Sequence, residues 1–203
     1  AQSLVSQGYE DPLGTIQTNV MGTVNVLELY RRHPLLALLV ITSDKCYRPT
    51  LETCEENSPL GGDDPYSASK ASTELIVHAY RSVFPSLSLA TARAGNSIGA
   101  GDTASDRLFP DILRSIKEGV PVKLRNPKAL RPWQYVLEPL WGYLILGAQL
   151  LEGKHQGSWN FGPAQSVSVQ DFVEECIRVW QSKTIVESAQ KSRKENQMLS
   201  ITS

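Results

Sequence analysis

A chain of 203 residues, 41% apolar and 20% charged, is long enough to bury a core without disulfides or metals to staple it. Lys plus Arg number 20 against 21 Asp plus Glu, a formal charge of -1, which excludes the basic field that gathers nucleic acid or an anionic membrane. The cysteines, Cys46, Cys54 and Cys176, are odd in number and far apart. That excludes a paired disulfide framework and a metal-ligand spacing, and predicts a reducing, cytoplasmic setting.

Thr15 to Arg32 carries Ile16, Val20, Thr23, Val24, Leu27 and Tyr30 at steps of three and four, which predicts a helix ended by Pro34. Leu35 to Ile41 is a continuous apolar run. It is far below the ~20 residues of a membrane span and suits a strand buried on both faces. Thr42 to Asp64 reads as a long polar loop, and its length suggests function. Asp64-Pro65 opens a second helix, Pro85 closes it, and Leu87 to Ala92 reads as another buried strand. Helix, strand, loop, helix, strand is the rhythm of a parallel sheet covered on both faces.

Beyond Gly95 the texture changes. Ser105 to Lys117 reads as a helix broken by Gly119-Val-Pro121, and Val122 to Val136 as irregular chain. Leu137 to Leu151 reads as a helix, Asn160-Phe-Gly-Pro163 as a turn and Val169 to Trp180 as a last amphipathic helix. The polar stretch 183–203 is expected to be disordered.

Tyr66-Ser-Ala-Ser-Lys70 carries the chemistry. A spacing of four puts both side chains on one helix face. An ammonium near a phenol, whose ordinary pKa is about 10, favours the phenolate and so prepares a proton acceptor for an alcohol. Thr42-Ser-Asp-Lys45 follows directly on a buried strand, and the carboxyl ends of strands are where open α/β sheets bind ligands. Each motif alone is weak; their order along the chain is more specific. His33, His78 and His155 lie without partners at ligand spacing, and no metal site is predicted. Cys46, beside the loop, has no base near it in sequence and is read as inert.

The strand-end Ser43 followed by Tyr66 and Lys70 resembles the extended short-chain dehydrogenase/reductase family, whose Ser or Thr, Tyr and Lys surround a nicotinamide cofactor. Asn19 resembles that family's structural asparagine. Further stretches resemble its sugar-nucleotide dehydratases: Asn19 to Leu27, Pro59 to Tyr66, Ala92 to Asn96, Asp106 to Pro110, Arg125 to Lys128 and Arg131 to Gln134. Most of these dehydratases carry Asp-Glu where this chain has Asp44-Lys45, and the pair Asp-Lys implies CDP-glucose as substrate. Alternatives are another nucleotide-sugar dehydratase, a 4-epimerase or a non-catalytic remnant.

What the resemblance implies is a partial Rossmann-type α/β fold with a smaller mixed α/β substrate region, and NAD as cofactor. Residues 1–98 would be the latter half of the NAD-binding domain and 99–182 the mainly substrate-binding part. Tyr66 would take the proton of the sugar 4-hydroxyl, Lys70 hold the nicotinamide ribose, and Ser43 hydrogen-bond the reacting oxygen. Lys45 would act as base at C5 and Asp44 as acid at C6. Asn96, Arg107 and Arg131 would line the nucleotide-sugar cleft, with Glu138 near the base or ribose. Homodimerisation through the Thr15 and Tyr66 helices is implied as well. The family's Gly-rich strand-to-helix turn, which meets the pyrophosphate, has no counterpart in the sequence; Gly95 to Gly101 comes too late and does not match. The chain, opening at Ala1, is therefore expected to lack the first strands and to bind NAD poorly by itself.

Overall fold

The computed structural model describes residues 1–33, 36–189 and 197–202. Helix α1 (Val5–Glu10) is followed by α2 (Pro12–Ile16), which Asp11 starts by accepting from the Gly14 amide at 2.8 Å, with Pro12 in the first turn. A π-helical turn, Gln17–Met21, carries α2 into α3 (Gly22–Arg32). The helix expected over Thr15–Arg32 is thus present, starts earlier and contains a wider turn. Asn19 in that turn is buried. It exchanges hydrogen bonds with the Gln2 backbone and donates to Ser69 Oγ at 3.0 Å.

Strand β1 (Leu38–Ile41) leads into a 3-10 turn, Asp44–Cys46, and the loop beyond folds back through a Tyr47–Leu60 bridge. Helix α4 (Pro65–Val83) begins where Asp64 accepts from the Ser67 amide at 2.9 Å. Strands β2 (Leu89–Ala94) and β3 (Ser97–Ile98) follow. Helix α5 (Leu108–Glu118) ends on Gly119 at φ +68°, the left-handed conformation glycine adopts without strain. The stretch read as irregular holds three short strands, β4 (Val122–Leu124), β5 (Leu130–Arg131) and β6 (Gln134–Tyr135). Then come α6 (Leu137–Leu151), β7 (Gly157–Phe161), β8 (Val167–Ser168), α7 (Val169–Val179) and β9 (Val186–Ser188).

The central sheet has the order β1-β2-β7 and is wholly parallel, with Ile41 opposite Ala92 and Ala92 opposite Trp159. Successive residues of β2 face opposite ways. Leu89 packs with Leu27 and Val77 of α3 and α4, while Ala90 packs with Leu146 and Leu150 of α6. Both faces are therefore covered, and the expected α/β class holds. A second core joins Ile112, Val122, Leu124, Val173 and Cys176 between α5, β4 and α7.

Two expectations fail here. Asn160 and Phe161 finish β7 rather than form a turn. The strand is masked in sequence by Ser158 and Asn160, whose polar groups are satisfied inside the fold by Glu74 and Tyr47. Its place in the sheet also means that a division near residue 98 separates the chain but not the sheet. Of the stretch 183–203, residues 190–196 and 203 lie outside the described residues; in the rest β9 pairs in parallel with β4, and Met198 and Ile201 bridge to Leu130 and Cys54. Ile201 is buried with Cys46, Tyr47, Cys54 and Ala71. Strand pairing, which leaves no helical period, holds this tail. No helix among the described residues is long and apolar enough to cross a membrane.

Candidate active site

Parallel strands end together, so the loops that leave them meet at one edge. β1 delivers Thr42 and Ser43 to that edge, and Ser43 starts the 3-10 turn by accepting from the Lys45 amide at 3.3 Å. Its hydroxyl donates to Asp44 Oδ1 at 2.9 Å. Asp44 is 2% exposed, and its Oδ2 is buried without a hydrogen-bond partner. Burial pushes the Asp44 carboxyl above its ordinary value, against the opposing pull of Lys45, Ser43 and Arg131. A carboxyl held towards its neutral form is suited to donate a proton.

The first turns of α4 bring Tyr66 and Lys70 to the same place. Tyr66 is 7% exposed, and burial pushes its phenol up to about 12, against hydrogen bonding with Ser43 and the field of Arg107. Lys70 Nζ lies 6.0 Å from the Tyr66 ring centroid and donates to the Ile41 carbonyl at 3.4 Å. Burial holds the Lys70 ammonium below its ordinary value while Cys46 and Glu74 oppose it. Burial is thus the largest influence on the Tyr66 phenol in this fold.

A cleft of about 780 Å³ opens at this edge, lined by Ser43, Asp44, Lys45, Tyr66, Asn96, Arg107 and Arg131 among others. Arg107 pairs with Asp102 at 2.9 Å and donates to Ser3 Oγ at 2.8 Å. Arg131 is buried, with one guanidinium nitrogen on the Leu130 carbonyl at 2.8 Å. These guanidinium groups, with Arg114 and Arg125 also on the lining, suit phosphate oxygens. Trp133 also lines it and stacks on Phe172, centroids 4.4 Å apart, so packing accounts for that ring.

Two expected site residues are not on this cleft's lining. Lys70 is held one helical turn from Tyr66 by the Ile41 carbonyl at the end of β1. Glu138 is exposed in the first turn of α6, where its carboxylate accepts from the Tyr135 amide at 3.2 Å. It serves the start of a helix and is not among the residues that line this cleft. Cys46 is fully buried and its thiol is pushed far up by that burial, which fits the inert reading.

Sequence reading missed a buried polar cluster beneath the loop. Glu74 and Arg93 pair at 2.7 Å with side chains 0% and 4% exposed. Arg93 also donates to Tyr47 Oη at 2.9 Å and to the Glu56 carbonyl at 2.8 Å. The available signal was a charged residue inside the apolar stretch Leu89–Ala94, and Glu74 at the same four-residue step as Tyr66 and Lys70.

The residues present fit the nicotinamide-ribose end of a dinucleotide: a buried Tyr and Lys on one helix face beside a serine at a strand end. For the pyrophosphate end, no Gly-rich strand-to-helix turn exists among the described residues. The added Cβ of Gly95 or Gly99 would meet Pro132 or Val136, not an open cradle.

The chain matches the NAD dependent epimerase/dehydratase family over residues 1–162 and belongs to it. It is 46% identical over 195 residues to CDP-glucose 4,6-dehydratase of Salmonella typhimurium, covering 89% of this chain and 54% of that protein. It is 30% identical over 148 residues to dTDP-glucose 4,6-dehydratase of Xanthomonas campestris, covering 67% and 42%. It thus spans about half the length of these curated relatives. The crystal structure of the dTDP-glucose 4,6-dehydratase DesIV from Streptomyces venezuelae, with NAD and TYD bound, superposes with a TM-score of 0.87 at 20% identity, over 100% of this chain and 62% of that one. At that identity the likeness speaks for the fold.

Proposed function

We propose that the cleft belongs to a lyase that converts CDP-glucose to CDP-4-dehydro-6-deoxyglucose. The observation that carries the reading is Asp44-Lys45 placed directly after Ser43 and in the same cleft as Tyr66: a buried carboxyl held towards its neutral form, next to an amine, with Arg107 and Arg131 on the same lining. The 46% identity to a CDP-glucose 4,6-dehydratase supports the substrate.

NAD, when bound, supplies the acceptor for a hydride from sugar C4 and the donor of that hydride to C6. Lys70, with Ser43 and Tyr66, would hold its nicotinamide-ribose end. Tyr66, as the phenolate that the Lys70 ammonium favours against burial, takes the proton of the 4-hydroxyl, and Ser43 holds the same oxygen in line. The 4-ketone so formed acidifies the proton at C5. Lys45 removes it, and the C6 hydroxyl leaves as water with the proton that Asp44 gives. C5 then regains a proton as C6 is reduced. Asn96, Arg107 and Arg131 orient the nucleotide sugar.

We place the reaction in the cytoplasm, where buried free thiols such as those of Cys46, Cys54 and Cys176 stay reduced. A second copy of the chain is the proposed partner, through the exposed Leu13, Leu29, Leu75 and Val83 on α2, α3 and α4. Residues 1–98 then serve mainly cofactor and chemistry, and 99–182 mainly substrate, with β7 returning to the cofactor side.

The test is incubation of the NAD-loaded protein with CDP-glucose in deuterium oxide. The expected product is a 4-keto-6-deoxy sugar nucleotide carrying solvent deuterium at C5. Turnover confined to dTDP- or UDP-sugars overturns the substrate, and a C4 epimer without loss of water overturns the reaction.

A further inference from the structure

Glu74 lies two turns beyond Tyr66 on α4, with a fully buried side chain. Its carboxylate gathers donors from all three strands of the central sheet. Oε1 accepts from the hydroxyl of Thr42, the residue that follows β1. Oε2 accepts from Thr91 Oγ1 of β2 at 2.9 Å, Ser158 Oγ of β7 at 3.2 Å and the Arg93 guanidinium at 2.7 Å. Thr91 and Ser158 are register partners, and Thr42 comes directly after Ile41, the partner of Ala92, so one carboxylate ties β2 and β7 to the end of β1.

The cluster also brackets the catalytic turn. Thr42 precedes Ser43, and Tyr47 follows Cys46. Tyr47 Oη accepts from Arg93 at 2.9 Å and donates to Asn160 Oδ1 at 2.6 Å. Both ends of the segment carrying Ser43, Asp44 and Lys45 are therefore tied to the Glu74–Arg93 pair, and Glu74 rides on the helix that carries Tyr66. Burial works against the Arg93 charge, but the hydrogen bond and field of Glu74 hold its guanidinium above the ordinary value. A buried ion pair is often matched in stability by apolar residues of similar size, so stability alone gives little reason for this arrangement.

We propose that Glu74 is a positioning residue, which sets the strand-end segment of Ser43 and Asp44 against Tyr66 through Thr42 and Arg93. The kinetic part of its test rests on the dehydratase reading; the structural part does not.

The experiment compares the unaltered chain, Glu74→Gln and the double variant Glu74→Met with Arg93→Met. Hydrogen exchange followed by mass spectrometry is expected to show the amides of 42–47 opening at least about tenfold faster in both, while α7 in the second core keeps its protection. The melting temperature falls in Glu74→Gln, which strands the Arg93 charge, and recovers in the double variant. Turnover is expected to fall roughly 10- to 100-fold in both with KM within about twofold, as for a displaced but intact reacting group. Unchanged protection at 42–47 in the double variant, or equal loss of protection in α7, overturns the inference. Full turnover in the double variant overturns it too. If the unaltered protein dehydrates no nucleotide sugar, the dehydratase reading falls, and the exchange result still decides the role of Glu74.

Discussion

The two walls of the cleft are built differently. The wall made by β1, the 3-10 turn and α4 buries its functional groups: Asp44 and Tyr66 are 2% and 7% exposed and stand over the Glu74–Arg93 cluster. The facing wall around Arg107 is open. That side chain is 39% exposed and held by one ion pair and one serine. Bond-making groups must be fixed within fractions of an ångström, and a dry setting strengthens their electrostatics. A flexible, hydrated cation can still collect a diphosphate, at little cost when no ligand is there.

That difference sets the order of the effects to be measured. Tyr66→Phe removes the proton acceptor from the fixed wall and should lower kcat by about 10²–10⁴-fold with KM nearly unchanged; a loss confined to KM would make the two walls alike. Asp44→Asn should abolish loss of water while cofactor reduction stays visible by absorbance. It should also raise stability at neutral pH. Burial holds the native Asp44 pKa above its unfolded value, so the stability this group contributes is full below the ordinary carboxylate pKa of about 3.9 and is lost as pH rises through the raised value. Asparagine stays neutral throughout. Its advantage should therefore grow with pH to about 2–4 °C in melting temperature, the shift that ~1 kcal/mol gives a chain of this length. An unchanged melting temperature would show that Asp44 is not strained by burial.

For the cleft arginines the expected effects are smaller. Arg107→Ala should raise KM about tenfold with kcat near the original, and added salt should shrink the difference, because exposed pairs are weak and screened. Arg131→Ala, at a buried site, should raise KM further and lower the melting temperature as well. Equal behaviour of the two arginines in salt would remove the contrast between an exposed and a buried cation.

Much of the fixed wall was legible in the sequence. The four-residue step from Tyr66 to Lys70 and the apolar run before Thr42 each obey one local period, and a period survives into the fold. What escaped depends on pairing across the chain. β7 reads as a turn because Ser158 and Asn160 are polar, and only their partners Glu74 and Tyr47 make them strand residues of a core. The tail reads as disordered because Met198 and Ile201 are held by Leu130 and Cys54. The helix-start contact of Glu138 escaped because a carboxylate there and one in a binding cleft look alike in sequence. The upward shift of Tyr66 was missed since spacing reports the neighbouring charge and not the depth of burial.

The burial of Ile201 beneath Cys46, Tyr47 and Cys54 has a consequence for how the protein is made. Thr53 and Ser200, which hydrogen-bond at this clasp, are 147 residues apart. At ~5–20 residues per second, a ribosome needs roughly 7 to 30 s to cross that interval. For that time the floor under the catalytic turn stays uncovered, even though α4 and β2 have already been synthesised. The turn therefore finishes folding after the elements that surround it, and a nascent chain caught in this interval would expose Cys46 and Cys54 to oxidants from which the finished protein shields them.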